Sequence, residues 1–324
     1  MGIGYKLFHP EIFQGRLSKR KYFEGWYYKM VSADEMKAIA IIPGIALFNK
    51  KERHAFIQVF NGIDHTTSYH RFDINEFSAN KRELDITIGN NHFSKKGVKL
   101  DLPEIQGEIS FSNMILPQAS MLSPGVMGWF SYVPFMQCRH GVVSMHHDLV
   151  GQTSGSFGLT DWKDGIGYIE KDWGASFPKC WIWMHSNHFD VQKPASIMAS
   201  VAHIPWMGRF FPGFIVVLVI EGVEYRFATY NQSVMKCLVF DDLVLLEFKH
   251  HDLHLLITAY RGETATLHMP VQGQMTGKMS ESLRARLEIR LLKNDHEIWS
   301  SNGTTAGLDI YGDTSVLESS AWRK

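Results

Sequence analysis

Residues 168–189 read Tyr-Ile-Glu-Lys-Asp-Trp-Gly-Ala-Ser-Phe-Pro-Lys-Cys-Trp-Ile-Trp-Met-His-Ser-Asn-His-Phe, the densest grouping of acids, indoles and hydrogen-bonding side chains in the chain. Extended backbone sends alternate side chains to opposite faces, so Trp181, Trp183, His185 and Asn187 share one face and Ile182, Met184, Ser186 and His188 the other. Two indoles beside an imidazole and an amide suit the lining of a pocket that orients a flat, partly polar ligand; a plain core face would carry aliphatics. Glu170, Asp172 and Trp173 stand just upstream. A second cluster, Tyr22-Phe23-Glu24-Gly25-Trp26-Tyr27-Tyr28-Lys29, groups Glu24, Trp26 and Tyr28 on one face by the same alternation. In both clusters an acid lies close to an indole, and the repetition predicts that the two face one cavity.

The elements that must position these residues are strands. Arg284–Leu291 sets Ala285, Leu287, Ile289 and Leu291 against Arg284, Arg286, Glu288 and Arg290, the period of two that marks a half-buried strand. Residues 253–259 repeat it, and further strands are predicted at 37–42, 54–60, 84–88, 106–111, 142–150, 195–202, 214–220, 223–230 and 243–248. Amphipathic helices are scarce, and turns such as Glu221-Gly222 and Asn302-Gly303 punctuate the strands. The expected class is all-β, with antiparallel sheets closed into barrels or stacked as sandwiches.

A chain of 324 residues exceeds the usual single core, so two lobes are expected. The irregular Gly174-Ala175-Ser176-Phe177-Pro178 places the boundary near residue 175, giving lobes 1–174 and 175–324. Hydrophobic residues at 45% exclude disorder. A formal net charge of +0, with no basic run interleaved with aromatics, speaks against a nucleic-acid partner. Cys138, Cys180 and Cys237 fit neither a disulfide framework nor a paired metal motif, the N-terminus has no signal-peptide run, and the expected compartment is the cytoplasm. The clusters His140, His146, His147 and His250, His251, His254 lack metalloprotease spacing, and no metal is expected. Nucleophile-elbow, phosphate-loop and dinucleotide fingerprints are likewise missing from the sequence.

The blocks Phe-Glu-Gly-Trp-Tyr at 23–27, Tyr-Ile-Glu-Lys-Asp-Trp-Gly-Ala-Ser-Phe-Pro at 168–178 and Trp-Ile-Trp-Met-His-Ser-Asn at 181–187, with Ser-Met-His-His at 144–147, resemble the tocopherol cyclase family in order and separation. His185 and Asp172 depart from the pattern of its plant members, which tend to carry Gln and Asn there. The resemblance implies two lipocalin-like, or calycin-like, antiparallel β lobes. It also implies an isomerase of the intramolecular-lyase type, needing no cofactor, that closes a chromanol ring on a prenylated hydroquinone.

Such ring closure needs a proton on a trisubstituted alkene, attack by the phenol oxygen on the tertiary cation, and loss of the phenolic proton. An acid able to do this must keep its proton in a dry site. Under the resemblance the candidate acids are Glu24 first, then Glu170, with Asp172 beside it. Trp26, Trp173, Trp181 and Trp183 would stabilise the cation with their ring faces. Tyr28, His147, His185 and Asn187 would hold the hydroquinone. Each has a structural alternative: Glu24 paired with a basic residue across a strand, residues 170–172 as a salt-bridged turn, the indoles as core. A non-catalytic carrier of an apolar small molecule and an alkene hydratase are the competing functions; acids ion-paired at the surface would favour the carrier. A membrane-stored substrate would add transient contact with a membrane surface, for which Trp129, Phe130, Trp206, Phe210 and Phe211 are candidates.

Overall fold

Alternating sequence becomes antiparallel sheet throughout. A computed structural model describes residues 3–191 and 194–323; Met1 and Gly2 of the N-terminal sequence lie outside the described residues. The chain divides into two compact units, Met1–Phe177 with Thr266–Lys278, and Pro178–Ala265 with Met279–Lys324.

The sheet of the first unit runs Thr66–Phe72, Arg53–Asn61, Ala38–Leu47, Tyr22–Val31, Gly165–Gly174, Cys138–Ser154, Gln106–Ile115, Gly97–Asp101, Asn91–Ser94, Asp85–Ile88, Phe77–Ala79. Its two end strands are consecutive in the chain. They are joined by the 3-10 turn Ile74–Glu76, which a capping box between Asp73 and Glu76 fixes. The sheet therefore curls upon itself into a nearly closed barrel around Tyr28, Met30, Ile41, Ile57, Ile88 and Phe93. The second sheet, which the second unit supplies from Met279 on in its longest strand, runs Val223–Ala228, Arg209–Ile220, Ala195–Trp206, Trp181–Ser186, His296–Tyr311, Gln274–Lys293, Leu253–Tyr260, Leu243–His250, Val234–Val239, Ser319–Arg323. Here Ile182, Met184, Val216, Leu246, Ile257 and Leu287 share the core.

The predicted strand 223–230 ends early, at Ala228, because the Asn231 side chain accepts the Ala228 amide at 3.0 Å and turns the chain into the 3-10 segment Thr229–Asn231. The predicted 284–291 lies inside the much longer Gln274–Lys293. Among the described residues, no helix is long and apolar enough to cross a membrane.

Candidate functional site

Tyr22–Val31 pairs directly with Gly165–Gly174, with Glu24 opposite Trp173, Trp26 opposite Lys171, Tyr28 opposite Ile169, Tyr27 opposite Glu170 and Gly25 opposite Asp172. Directly paired residues of an antiparallel ladder project to the same face. Glu24, Trp26, Tyr28, Lys171 and Trp173 therefore turn to the barrel interior, and Glu170 and Asp172 turn to the opposite face. The expectation that both clusters face one cavity is corrected: they are neighbours in register, but the period of two divides their acids between two faces.

Inside the barrel, Glu24 and Lys171 form a fully buried ion pair at 2.5 Å. The Glu24 carboxylate also accepts bonds from the Gln14 amide at 2.6 Å, the Gly15 amide at 2.9 Å and the Tyr22 hydroxyl at 2.5 Å. Lys171 donates to the carbonyls of Pro10, at 2.9 Å, and Ile12, and the Trp26 indole donates to the carbonyl of Glu11 at 2.8 Å. The pair thus anchors segment 10–15, satisfying backbone groups that would otherwise be buried alone. Burial pulls the Lys171 pKa down, Glu24 opposes it, and the result is about 8. The ammonium lies 4.6 Å from the centre of the Trp26 ring and 4.9 Å from that of Trp173.

Farther along the interior, Tyr28 and His147 flank Phe111, with ring centres 6.2 and 4.4 Å away. The His147 Nδ1 meets Ser144 Oγ at 3.0 Å, whereas its Nε2 and the Tyr28 hydroxyl are buried with no hydrogen-bond partner among the described residues. Burial, then the neighbouring His146, holds the His147 pKa near 3, so the ring is neutral. Gly167 stands opposite His147; an added Cβ there would lie 2.2 Å from Nε2.

On the opposite face, His140 pairs with Asp172 and Val142 with Glu170 in register. The His140 Nδ1 is 3.1 Å from Asp172 Oδ1, its Nε2 is 3.6 Å from Glu170 Oε2, and the Tyr168 hydroxyl donates to Glu170 Oε2 at 2.6 Å. Burial alone would depress the His140 pKa, but Asp172 and then Glu170 outweigh it and hold it at about 9. The Tyr168 phenol is pushed well above its ordinary value by burial and by Glu170, so it keeps its proton. Exposure falls along the chain of groups, from 24% for the Asp172 side chain and 16% for His140 to 7% for Glu170 and none for Tyr168. His140, Glu170 and Asp172 each bring a potential ligand atom within 4.8 Å of the others. A cation held there would displace a proton from the His140 imidazolium, because a ligating ring nitrogen must be free of its proton.

In the second unit, Trp181, Trp183 and His185 project to the face opposite Ile182 and Met184, which belong to the core. The Trp181 indole donates to Asp309 at 2.5 Å and stacks on Tyr311 at 4.4 Å. Trp183 lies over Gly307, where an added Cβ would come within 2.7 Å of the ring. The Asn187 amide oxygen accepts from His188 Nδ1 at 2.9 Å, which places the ring proton on Nδ1. All four predicted residues are buried.

His140 and Tyr168 are not among the site residues predicted from sequence, where His140 is weighed only in a histidine cluster rejected as a metal site. His140 lies 30 residues before Glu170 in the chain, and the strand that carries it is bulged between Val142 and Ser144, so no fixed spacing announces the pair.

A nearly closed barrel-like sheet and a second large antiparallel sheet, with few helices, define a lipocalin-like architecture. The sequence profile of the family described as tocopherol cyclase-like matches residues 104–312, well over half of the chain, and the chain belongs to that family. The matched span includes His140, Tyr168, Glu170, Asp172 and residues 181–187, and begins after the Glu24 block. Comparison with curated proteins finds no match. Among solved structures, CghA with Sch210972 is similar with a TM-score of 0.59 at 9% identity, over 90% of this chain and 89% of that one. A protein described as AttH, from Nitrosomonas europaea, is similar with a TM-score of 0.51 at 10% identity, over 90% of this chain and 92% of that one. At these identities the likeness is one of fold.

Proposed function

We propose that the protein is a cofactor-independent cyclase that closes a chromanol ring on a prenylated hydroquinone or a similar alkene-bearing phenol. The observation that carries this reading is the series Asp172, His140, Glu170, Tyr168, hydrogen-bonded at its two ends and linked in the middle by a 3.6 Å ion-pair contact, which runs from a partly exposed edge to a fully buried end. Dry carboxyl groups with a resupply of protons are what alkene protonation demands. A carrier has no use for them, and burying them without function is unfavourable.

The proton that His140 carries passes to the Glu170 carboxylate and from there to the less substituted alkene carbon. The phenol oxygen then forms the C–O bond to the tertiary cation, and the phenolic proton returns to the cluster, so the net change is an isomerisation. His140, kept charged by Asp172, re-protonates Glu170. Glu24, the other acid proposed from sequence, supports the barrel interior through Lys171 and segment 10–15. Trp26, Trp173, Tyr28 and His147 are proposed to shape that interior. Trp181, Trp183, His185 and Asn187 are proposed as ligand contacts of the second unit in its own right. That CghA was solved with Sch210972 supports a small-molecule ligand.

Three free cysteines support a reducing compartment, for which we propose the cytoplasm. Exposed Trp129 and Phe210 support transient contact with the membrane that stores such substrates.

The test is anaerobic incubation of the purified protein with a panel of prenylated hydroquinones in D₂O, followed by mass spectrometry. The expected product is an isomer carrying one carbon-bound deuteron, formed by the native protein and lost in Glu170→Gln. A product heavier by a water moves the assignment to a hydratase. Saturable binding of the panel without turnover overturns catalysis in favour of a carrier.

A further inference from the structure

A second concentration of aromatic and polar groups lies on the outer face of the first unit, away from the acids. In strand Arg53–Asn61, Ala55, Ile57 and Val59 face the core, which leaves His54, Phe56 and Gln58 on the outside; Arg71 pairs with Phe56 and Tyr69 with Gln58 in the next strand. Over this face lies the hairpin of residues 266–278, which belongs to the same unit. It is fastened at both ends. Gln58 accepts from the His268 amide at 2.7 Å and donates to the His268 carbonyl at 3.3 Å, Thr67 donates to the Thr266 carbonyl at 2.9 Å, and Gln274 donates to Glu52 at 2.8 Å.

Between hairpin and sheet is a cavity of about 250 Å³, bounded by Phe48, His54, Tyr69, Arg71, His268 and Met275 among others. An apolar cavity of roughly 150 Å³ accommodates benzene, so one ring with a small substituent fits here. The walls are flat: Tyr69 stacks on Phe56 at 5.3 Å and meets His268 at 4.8 Å. The polar groups are arranged for an anion. The Tyr69 hydroxyl and His54 Nε2 are already joined at 2.7 Å, while the exposed guanidinium of Arg71 makes no ion pair among the described residues. Glu52, the acid in the lining, is engaged by Gln274.

We propose that this cavity is a binding site for a small monocyclic aromatic carboxylate, its ring held among Phe48, Tyr69 and Met275 and its carboxylate paired with Arg71. A planar guanidinium matches a carboxylate in two parallel hydrogen bonds, and the surrounding rings select a flat partner. The site is separate from the Glu170 cluster, and the inference does not depend on the cyclase reading.

The electrostatics provide a reporter. Burial and then the Arg71 charge hold the His54 pKa near 4, and the Tyr69 phenol is raised by burial against the opposing pull of Arg71. The charged or titratable groups lining the cavity are Glu52, His54, Tyr69, Arg71 and His268. An anion seated on Arg71 cancels its field at His54, so the His54 pKa rises on binding.

The experiment is a titration of the full chain with benzoate, followed by NMR of the histidine ring resonances across pH, with benzyl alcohol and acetate as the ring-only and charge-only probes. Expected are saturable benzoate binding, an upward move of the His54 pKa, and loss of affinity by about tenfold or more in Arg71→Gln. The two partial probes should each bind more weakly by a similar factor. Because Arg71 is exposed, the variant keeps the fold, which circular dichroism verifies. Equal benzoate affinity in Arg71→Gln, an unmoved His54 in the native protein, or acetate binding as tightly as benzoate each overturns the proposal.

Discussion

Lys171 and Trp26 stand opposite one another in the ladder between Tyr22–Val31 and Gly165–Gly174, and the lysine ammonium lies 4.6 Å from the centre of the indole ring. The barrel interior thus supplies its own cation to its own aromatic face. Trp173 receives the same ammonium from 4.9 Å, so both indoles of this cluster are engaged by the protein itself. Their first task is to desolvate and hold the Glu24–Lys171 pair, which in turn holds segment 10–15.

That arrangement makes the pair a point of fragility. Removing one partner of a buried ion pair leaves a charge alone and costs about 3–5 kcal/mol. Glu24→Gln and Lys171→Met are each expected to lose stability of that order in urea unfolding, and the double variant to lose less than the sum. Single variants that shift stability by under about 1 kcal/mol would show that the pair is not what anchors segment 10–15.

Gly167 is expected to tolerate no side chain while His147 is present, because an alanine Cβ would fall 2.2 Å from the imidazole Nε2. Overpacking of this kind typically costs about 1–3 kcal/mol. The double variant Gly167→Ala/His147→Ala should recover part of what Gly167→Ala loses, since the methyl then occupies space the ring has left. Strictly additive losses in a double-mutant cycle would contradict this packing.

The buried hydroxyl of Tyr28 has no hydrogen-bond partner among the described residues. Deleting an unsatisfied buried group removes its desolvation penalty, about 1–3 kcal/mol. Tyr28→Phe should therefore be as stable as the native chain or more so. A clear loss of stability in thermal unfolding would mean that the hydroxyl does make a stabilising bond.

Stability should fall on both sides of mildly acidic pH. His140 holds its proton up to about pH 9 in the folded protein against an ordinary value of 6.5. Its contribution is therefore complete below about 6.5 and is lost as pH rises towards 9, by at most about 1.4 kcal/mol per pH unit. His147 and His54 behave oppositely, with folded values near 3 and 4. The unfolded chain takes up their protons first, so their contribution declines as pH falls from about 6.5 through those values. Lys171, lowered to about 8, adds stability with rising pH above that value, so the His140 limb is best read between pH 6.5 and 8. His140→Asn should flatten that limb; an unchanged slope would remove His140 as its source.

In turnover, Glu170→Gln should lower kcat by at least about 100-fold, the usual contribution of a general acid, with KM little changed. Glu24→Gln, measured at a temperature where it stays folded, should keep most of its kcat. The reverse pattern would return the acid to Glu24.

Much of this was legible in the sequence. The strand of residues 284–291 and the grouping of Glu24 with Trp26 and Tyr28 follow from alternation alone, because a pleated backbone fixes which side chains share a face. The blocks at 23–27, 144–147, 168–178 and 181–187 together named the family that the match over residues 104–312 shows. The pairing of Glu24 with a basic residue across a strand is one of the alternatives the sequence offers, but which residue is its partner is not.

What alternation cannot supply is register. Whether Glu24 meets Lys171 or Glu170 depends on a one-residue slip between two strands more than 130 residues apart in sequence, and such a slip exchanges every side chain between the faces. The bulges in Cys138–Ser154 compound this: they set His140 beside Asp172 on one face and His147 over Gly167 on the other. The sequence by itself determined the strands, the family and the kinds of residue available for chemistry. Only the tertiary structure decided which acid is spent on an internal ion pair and which lies in line with a histidine, since long-range strand pairing, not local preference, chooses the neighbours.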